Sequence, residues 1–498
     1  MNIARLLEHS ARVYARETAI AWSGAAFCDY RTLYARAGSV ASSLQAAGLE
    51  RGARVCLAMA NTPVYFEILF GCWTAGLVAA PMNARLHPRE IVHAARDCGA
   101  KLCFATGDLA PALRETFAGA AQVVDVDADE YAGWLAAAPS PIMEAEAEAP
   151  AWLFYTSGTT GKPKGAIHTH RTLWNVVTSF LADSGAVERD NILHLAPLSH
   201  AAGFLGLAYL SRGRANIILP TGGLDLRDIE AAAPFAPFSL WAVPTVLNRL
   251  CELLPAKTRT LIFRMFVGGA PVYVEDLKRA ISLFGAEKLW ILYGQGEAPM
   301  TLTHLPPRLF GAPQSAGYEA RLGSVGVART GVAIRVVSSD GADAQPGEIG
   351  EVAARGDVVM AGYWNNPSAT AAAIPDGWLR TGDLGMLDEN GFLTLVDRSK
   401  DMIISGGSNI YPREIEEVLL THPRVKECAV VGAPDPQWGE TPVAFIVASG
   451  AAPSADELDA LCLGNLARYK RPRAYRFIGE LPKSSYGKIL KSALRERL

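Results

Sequence analysis

Short apolar, β-branched runs alternate along this chain with stretches of helical, 3.6-residue periodicity. RVCLAMA (54–60), KLCFAT (101–106), NIILP (216–220), TLIFRMFV (260–267) and ECAVVGAP (427–434) read as buried strands. Runs of that length, set between helix-length segments, predict α/β layering on largely parallel sheets. The opening MNIARLLEHSARVYARETAI mixes charged and apolar residues at helical spacing. It has neither the apolar core nor the small-residue cleavage site of a secretory signal. The most hydrophobic run, ILFGCWTAGLVAAP (68–81), falls short of the roughly 20 residues that span a bilayer. It is predicted as a buried helix running into a strand.

Two stretches break the alternation. AAAPSPIMEAEAEAP (136–150) is rich in Ala, Pro and Glu and reads as a surface connection. Between 330 and 397, VAIRVVSSDG, GEIGEVAARG and GFLTLVDRSKD are short strands broken by Gly, Asp and Asn turns, which predict a small antiparallel β unit. Helix and strand patterns resume in PREIEEVLLTHP (412–423) and TPVAFIVAS (441–449), so a boundary is expected near Lys400. It divides the chain into 1–399 and 400–498, the second part having a normal small-domain size of about a hundred residues. No internal repeat of fixed period is present.

Composition narrows the classes. A chain of 498 residues is too long for one ordinary core. Half of it is hydrophobic and 19% is charged, a folded rather than disordered balance. A net charge of −3 argues against a nucleic-acid binder. The eight cysteines include no C-x-x-C pair and mostly sit in apolar runs, so they are expected to be buried, reduced thiols of a cytoplasmic protein.

The most informative stretch is YTSGTTGKPKG (155–165). Gly158 and Gly161 are three apart and Pro163 follows Lys162, so the helix-opening phosphate loop G-x-x-x-x-G-K-[S/T] is not available. What remains is a hydroxyl-rich glycine turn. Thr156, Ser157, Thr159, Thr160, Lys162 and Lys164, with the backbone around Gly158, supply donors suited to phosphate oxygens.

This string resembles the phosphate signature of the acyl-adenylate-forming superfamily, and further strings follow in that family's order. They are APLSHAAG (196–203), FVGGAPV (266–272), YGQGE (293–297), GEIGEV (347–352), AGYWNNP (361–367), WLRTGDLG (378–385), DRSKDMIISGGSNIYPREIE (397–416) and PKSSYGKILK (482–491). The resemblance covers essentially the whole chain, in the branch of aryl- and fatty-acid CoA ligases. It implies an α/β fold with a large N-terminal domain of two doubly layered lobes and a small β-barrel-like unit, then a small mobile α+β C-terminal domain. It also implies ATP, Mg²⁺ and coenzyme A as co-substrates, and a two-step reaction. A carboxylate is first activated as acyl-AMP with release of pyrophosphate, and the acyl group then passes to a thiol.

The resemblance assigns roles residue by residue. Lys488 is expected over the carboxylate and α-phosphate, where developing charge needs a cation. Glu297, with Thr156, would hold Mg²⁺. Asp383 would accept hydrogen bonds from the ribose hydroxyls, and Arg398 would bind near ribose and phosphate. Gly268, Gly269 and Ala270 would let adenine lie on backbone, with Tyr293 stacked on the ring and Gly294 beside it. Lys400 would be a hinge, and Ser405–Gly406–Gly407–Ser408 would line the thiol's entry after rotation. The family usually has Thr where this chain has Gly296, so one hydroxyl contact to the α-phosphate is missing.

The same resemblance lines the acyl pocket with His200, Ala201, Ala202, Trp241, Leu292, Gly294 and Met300. None is acidic and none is a fixed cation, so an apolar aromatic or medium-chain fatty acid is expected. SLWAVPTV (239–246) carries no Asp that could pair an amino acid's ammonium. His200 is counted with the catalytic residues as a pocket gate, since a carboxylate needs no base at neutral pH. Two other readings stay open. One is an adenylating enzyme that loads a separate acyl carrier protein, for the ten residues after Lys488 leave no fused carrier. The other is a non-catalytic nucleotide binder, which only Gly296 favours. No nucleic acid and no membrane span are expected, and a homodimer is left open.

Overall fold

The computed structural model describes residues 1–156, 163–184, 189–484 and 487–498. Two large sheets carry the first three hundred residues. In the first, six neighbouring strands run parallel in the order Leu289–Gln295, Ile262–Gly268, Phe238–Ala242, Asn191–His194, Asn216–Ile218 and Thr18–Trp22. Antiparallel strands close both edges, Ala298–Leu305 and Val327–Ala328 on one side and Ala25–Asp29 on the other. The second sheet has six strands, parallel except for its last pair, Pro150–Thr156 and Lys164–Thr169. That antiparallel pair flanks the phosphate-loop string.

Every residue of the helix Tyr65–Thr74 and of the following strand Val78–Asn83 is buried. The run at 68–81 is therefore the helix-then-strand that its length predicts. Elements hydrophobic all round belong between layers, and this helix packs on the long helix Tyr30–Ala46. Trp73, Trp152, Phe66, Phe70 and Phe204 join one core running from the first helix to the middle of the chain. All eight cysteines are buried and unpaired. Among the described residues, no helix is long and apolar enough to cross a membrane.

The segment expected as a small β unit is a four-stranded antiparallel sheet, Ala333–Val337, Gly350–Arg355, Leu379–Leu387 and Leu393–Arg398, paired in that order. A short turn, Ser399–Asp401, leads into a further five-stranded sheet. Its long pair Val425–Asp435 and Gly439–Ala448 is covered by the helix Pro412–Leu420. Apolar cores of its own lie on both faces of that pair.

Polar contacts hold this last unit against the rest. The Tyr273 hydroxyl donates to Glu416 at 2.8 Å, and the Val274 amide donates to Glu417 at 3.1 Å. Arg413, buried, donates to the carbonyls of Val272, Gly323 and Leu395. Lys426 pairs with Glu252 at 3.1 Å, and Lys491 lies 3.9 Å from Asp397.

Candidate active site

The strand Leu289–Gln295 ends at the rim of the larger sheet, and the chain turns back through Gly296 and Glu297 into Ala298–Leu305. Glycine at 294 is obligatory for that turn. A Cβ there would stand 2.4 Å from the Met300 amide nitrogen and from the Ala298 carbonyl oxygen. Met300 itself is left-handed, with φ +52°. For a residue with a Cβ this costs roughly 1–3 kcal/mol, so the surroundings must enforce it.

Around this rim, residues from four parts of the chain meet. Thr156 and Lys164 come from the antiparallel pair of the second sheet, and Glu297 and Gly296 from the turn. Arg398 comes from the four-stranded sheet and Lys488 from the end of the chain. All six line one cleft. Glu297 is nearly buried and accepts a 2.6 Å hydrogen bond from the Tyr363 hydroxyl. The Lys164 ammonium lies over the Tyr363 ring, 5.1 Å from its centre. Asp383 is gripped at both oxygens, by the Tyr293 hydroxyl at 2.7 Å and by Arg398 Nε at 3.1 Å. A carboxylate has about four lone-pair sites, so further donors can still be accepted.

Lys488 reaches the cleft on a tight turn. Its amide and carbonyl both bond to Ser484, and Lys483 bridges Ile489. Gly487 in that turn has φ +78°, and a Cβ on it would meet the Thr245 hydroxyl at 2.8 Å, so the turn sits against the start of the helix Pro244–Leu253. Lys488 keeps access to water, yet protein atoms crowd its ammonium. That desolvation, with the nearby Arg398 guanidinium, lowers its pKa to about 8 against the opposing pull of Asp383 and Glu297.

His200 precedes the helix Ala201–Leu210, its ring edge-on to Phe154 and its Nδ1 2.9 Å from the Ser199 hydroxyl. Burial, then the charge of Lys488, lowers its pKa to about 3. It is neutral at any working pH and a poor base, as a gate can be.

The other expected residues divide by position. Gly268 leaves no room for a side chain, because a Cβ would lie 2.1 Å from the Leu292 carbonyl oxygen and 3.0 Å from the Trp241 ring. Gly269 follows at φ +82° and Ala270 is half-buried. Trp241, Leu292 and Met300 are buried in the same core, with Ala201 packed against it, and Ala202 is buried beside Ala201 in sequence. Lys400, Gly406 and Gly407 do not join the cleft. Lys400 is exposed in its turn, and the glycines cap an exposed hairpin beneath the Trp438 indole. Ser157, Gly158, Thr159, Thr160 and Lys162 lie outside the described residues.

Gly296 has a structural counterpart. A Cβ at this position would fall 2.1 Å from the Thr156 methyl and about 3 Å from the Phe154 ring, and the Gly296 carbonyl is 2.8 Å from His168 Nε2. The space where a side chain would stand is filled from across the cleft by Thr156. Tyr363, Arg380 and Thr381 also line the cleft but were not singled out from sequence. They sit inside the quoted strings AGYWNNP and WLRTGDLG, where no spacing says which side chain turns inward.

Among the described residues, no three His, Cys, Asp or Glu side chains form a metal cluster. Glu297 and the Thr156 hydroxyl offer hard oxygen donors. That set fits Mg²⁺, which takes one or two protein oxygens and completes its shell with phosphate and water.

The chain is similar to proteins of known type. The model of the AMP-binding enzymes matches residues 7–364, and that of the AMP-binding enzyme C-terminal domain matches 414–488. The chain is 36% identical over 493 residues to a feruloyl-CoA synthase of Amycolatopsis sp, covering 98% of this chain and 97% of that one. It is 34% identical over 485 residues to the long-chain-fatty-acid–CoA ligase FadD13 of Mycobacterium tuberculosis, covering 94% and 93%. It is 32% identical over 480 residues to the fatty acid–[acyl-carrier-protein] ligase ScoC of Streptomyces coeruleorubidus, covering 94% and 91%. Among solved structures, ATP-bound MatB from Rhodopseudomonas palustris superposes with a TM-score of 0.89 at 28% identity, covering 100% of this chain and 99% of that one.

Proposed function

The chain belongs to the AMP-binding enzymes, in their acyl-CoA ligase branch, and is an AMP-forming acid–thiol ligase; on that premise we propose that it joins an apolar aromatic or medium-chain fatty acid to coenzyme A. The observation that carries this reading is the meeting of Lys488 with Glu297, Thr156, Lys164 and Arg398 in one cleft.

ATP lies with its ribose at Asp383 and its phosphates toward Thr156 and Lys164. The Lys488 ammonium faces both the acid's carboxylate and the α-phosphate, so it screens two anions that must meet. A carboxylate oxygen attacks the α-phosphorus, the bond to the β-phosphate oxygen breaks, and pyrophosphate leaves. Charge grows on the phosphoryl oxygens during this step, which is where a fixed cation stabilises most. Mg²⁺, held by Glu297 and Thr156, would neutralise phosphate charge. Tyr363 keeps the Glu297 carboxylate turned to the cleft. In the second step the thiol sulfur attacks the acyl carbon and AMP leaves. The thiol needs a path that Lys488 now occupies. We therefore take the division at Lys400 as a hinge, and Gly406 and Gly407 as the loop that replaces Lys488.

The acid is apolar because the expected pocket residues Ala202, Trp241, Leu292 and Met300 are buried and uncharged, and His200 is neutral. The feruloyl-CoA synthase relative supports the aromatic half of that class, and the long-chain-fatty-acid relative supports fatty acids in general. The carrier-protein relative favours a second reading, transfer to a separate carrier. Release of AMP from MgATP decides between them. We expect release to need both an aromatic or fatty acid and coenzyme A. Acid-dependent pyrophosphate exchange without turnover on coenzyme A would instead establish the carrier reading.

A further inference from the structure

Behind the turn that carries Glu297 lies a charge pair that the proposed chemistry does not use. Arg329 Nε is 2.8 Å from Asp183 Oδ2, and the side chains are 1% and 7% exposed. Asp183 is further bound by the Thr330 hydroxyl at 2.5 Å and by the Thr330 amide at 3.3 Å. It belongs to the helix His170–Ser184. A buried pair adds little stability over apolar residues of the same shape, so its value lies in what it orients.

What it orients is the backbone of Met300. Arg329 Nη1 donates to the Met300 carbonyl at 3.0 Å, and the Arg329 amide donates to the Leu302 carbonyl at 3.1 Å. The guanidinium also lies 5.7 Å from the Phe180 ring centre. Met300 is left-handed within the strand that leaves the turn, packed so closely on Gly294 that a Cβ on Gly294 would not fit. The pairing of Leu289–Gln295 with Ala298–Leu305 shifts register here, so the ladder does not fix Met300. Its side chain belongs to the core that also holds Trp241 and Leu292.

We propose that Arg329, oriented by Asp183 and Thr330, is a positioning residue for acid selection. It holds the Met300 carbonyl and thereby fixes one wall of the acyl pocket. The proposal rests on the ligase reading and on Met300 lining that pocket. Arg329 touches neither nucleotide nor acid and acts through Met300 alone. Loss of the pair frees Met300 to leave the left-handed region, which moves the wall but leaves the phosphate and ribose contacts in place.

The test is acid-dependent pyrophosphate exchange across a graded panel of aromatic and fatty acids, with KM for ATP measured in parallel. Arg329→Leu alone would strand a buried carboxylate, so the main variant is Arg329→Leu with Asp183→Asn. We expect its ratio of kcat/KM between the best acid and a longer or bulkier one to change about tenfold, with KM for ATP within twofold of the parent. A uniform fall for every acid, with ratios unchanged, would make the pair structural only and overturn the proposal. If the double variant does not fold, Thr330→Val loosens Asp183 more gently. A smaller ratio change in the same acids is then expected, and an unchanged ratio overturns the proposal. No acid-dependent exchange in the parent protein would overturn the ligase reading itself, and this inference with it.

Discussion

Lys488 is where one residue's environment has the plainest consequence. Its ammonium titrates near 8 because protein crowds it and Arg398 repels it. The proton is present below that pH and lost above it, so the cation that we propose serves adenylation disappears as pH rises through about 8. An unperturbed lysine would keep it to roughly 10.4. The pH profile of kcat/KM for ATP, which reports the free enzyme, is expected to fall with an alkaline limb near 8. The limb should vanish in Lys488→Arg, whose guanidinium stays charged. A limb nearer 10 would mean that the cleft does not perturb this group. Glu297, Asp383, Arg398 and Lys488 were singled out because short strings around them resemble the family's signatures, and Glu297, Arg398 and Lys488 do line one cleft. Gly296 was legible only as a departure. That its space is filled by Thr156, far away in sequence, depends on the close approach of two different sheets.

At the scale of elements, alternation of apolar runs and helical periodicity was enough to foresee the parallel sheets, the buried helix–strand run at 68–81 and the antiparallel unit before Lys400. Hydrophobic period reports what an element buries, and these elements bury most of their length. Contacts that join elements left no such trace. Arg329 and Asp183 are 146 residues apart, and neither has a neighbour in sequence that hints at the other. The same holds for the seat of Lys488, whose turn rests on Thr245 through Gly487. Alanine at 487 would meet both a left-handed backbone and the Thr245 hydroxyl. Gly487→Ala is expected to lower acid-dependent pyrophosphate exchange at least tenfold with little change in Tm, since the turn is peripheral. Undiminished exchange would mean that the turn's seat does not set the position of Lys488.

Over the whole molecule, the last hundred residues matter through their orientation. Their sheet has its own cores, while the face toward the rest is polar, with Arg413, Tyr273, Glu416, Glu417 and Lys426 making hydrogen bonds and ion pairs. Interfaces of that kind can part and re-form more readily than apolar ones. In the orientation seen here Lys488 stands in the cleft, while Gly406 and Gly407 lie outside it. We therefore assign this orientation to the first step and a different one to the second. The most direct measurement compares the two half reactions in Lys488→Ala, by acid-dependent pyrophosphate exchange and by thioester formation from supplied acyl-AMP and coenzyme A. Exchange should fall by at least a hundredfold while thioester formation stays within a few-fold of the parent. An equal loss in both would contradict the assignment of Lys488 to the first step alone.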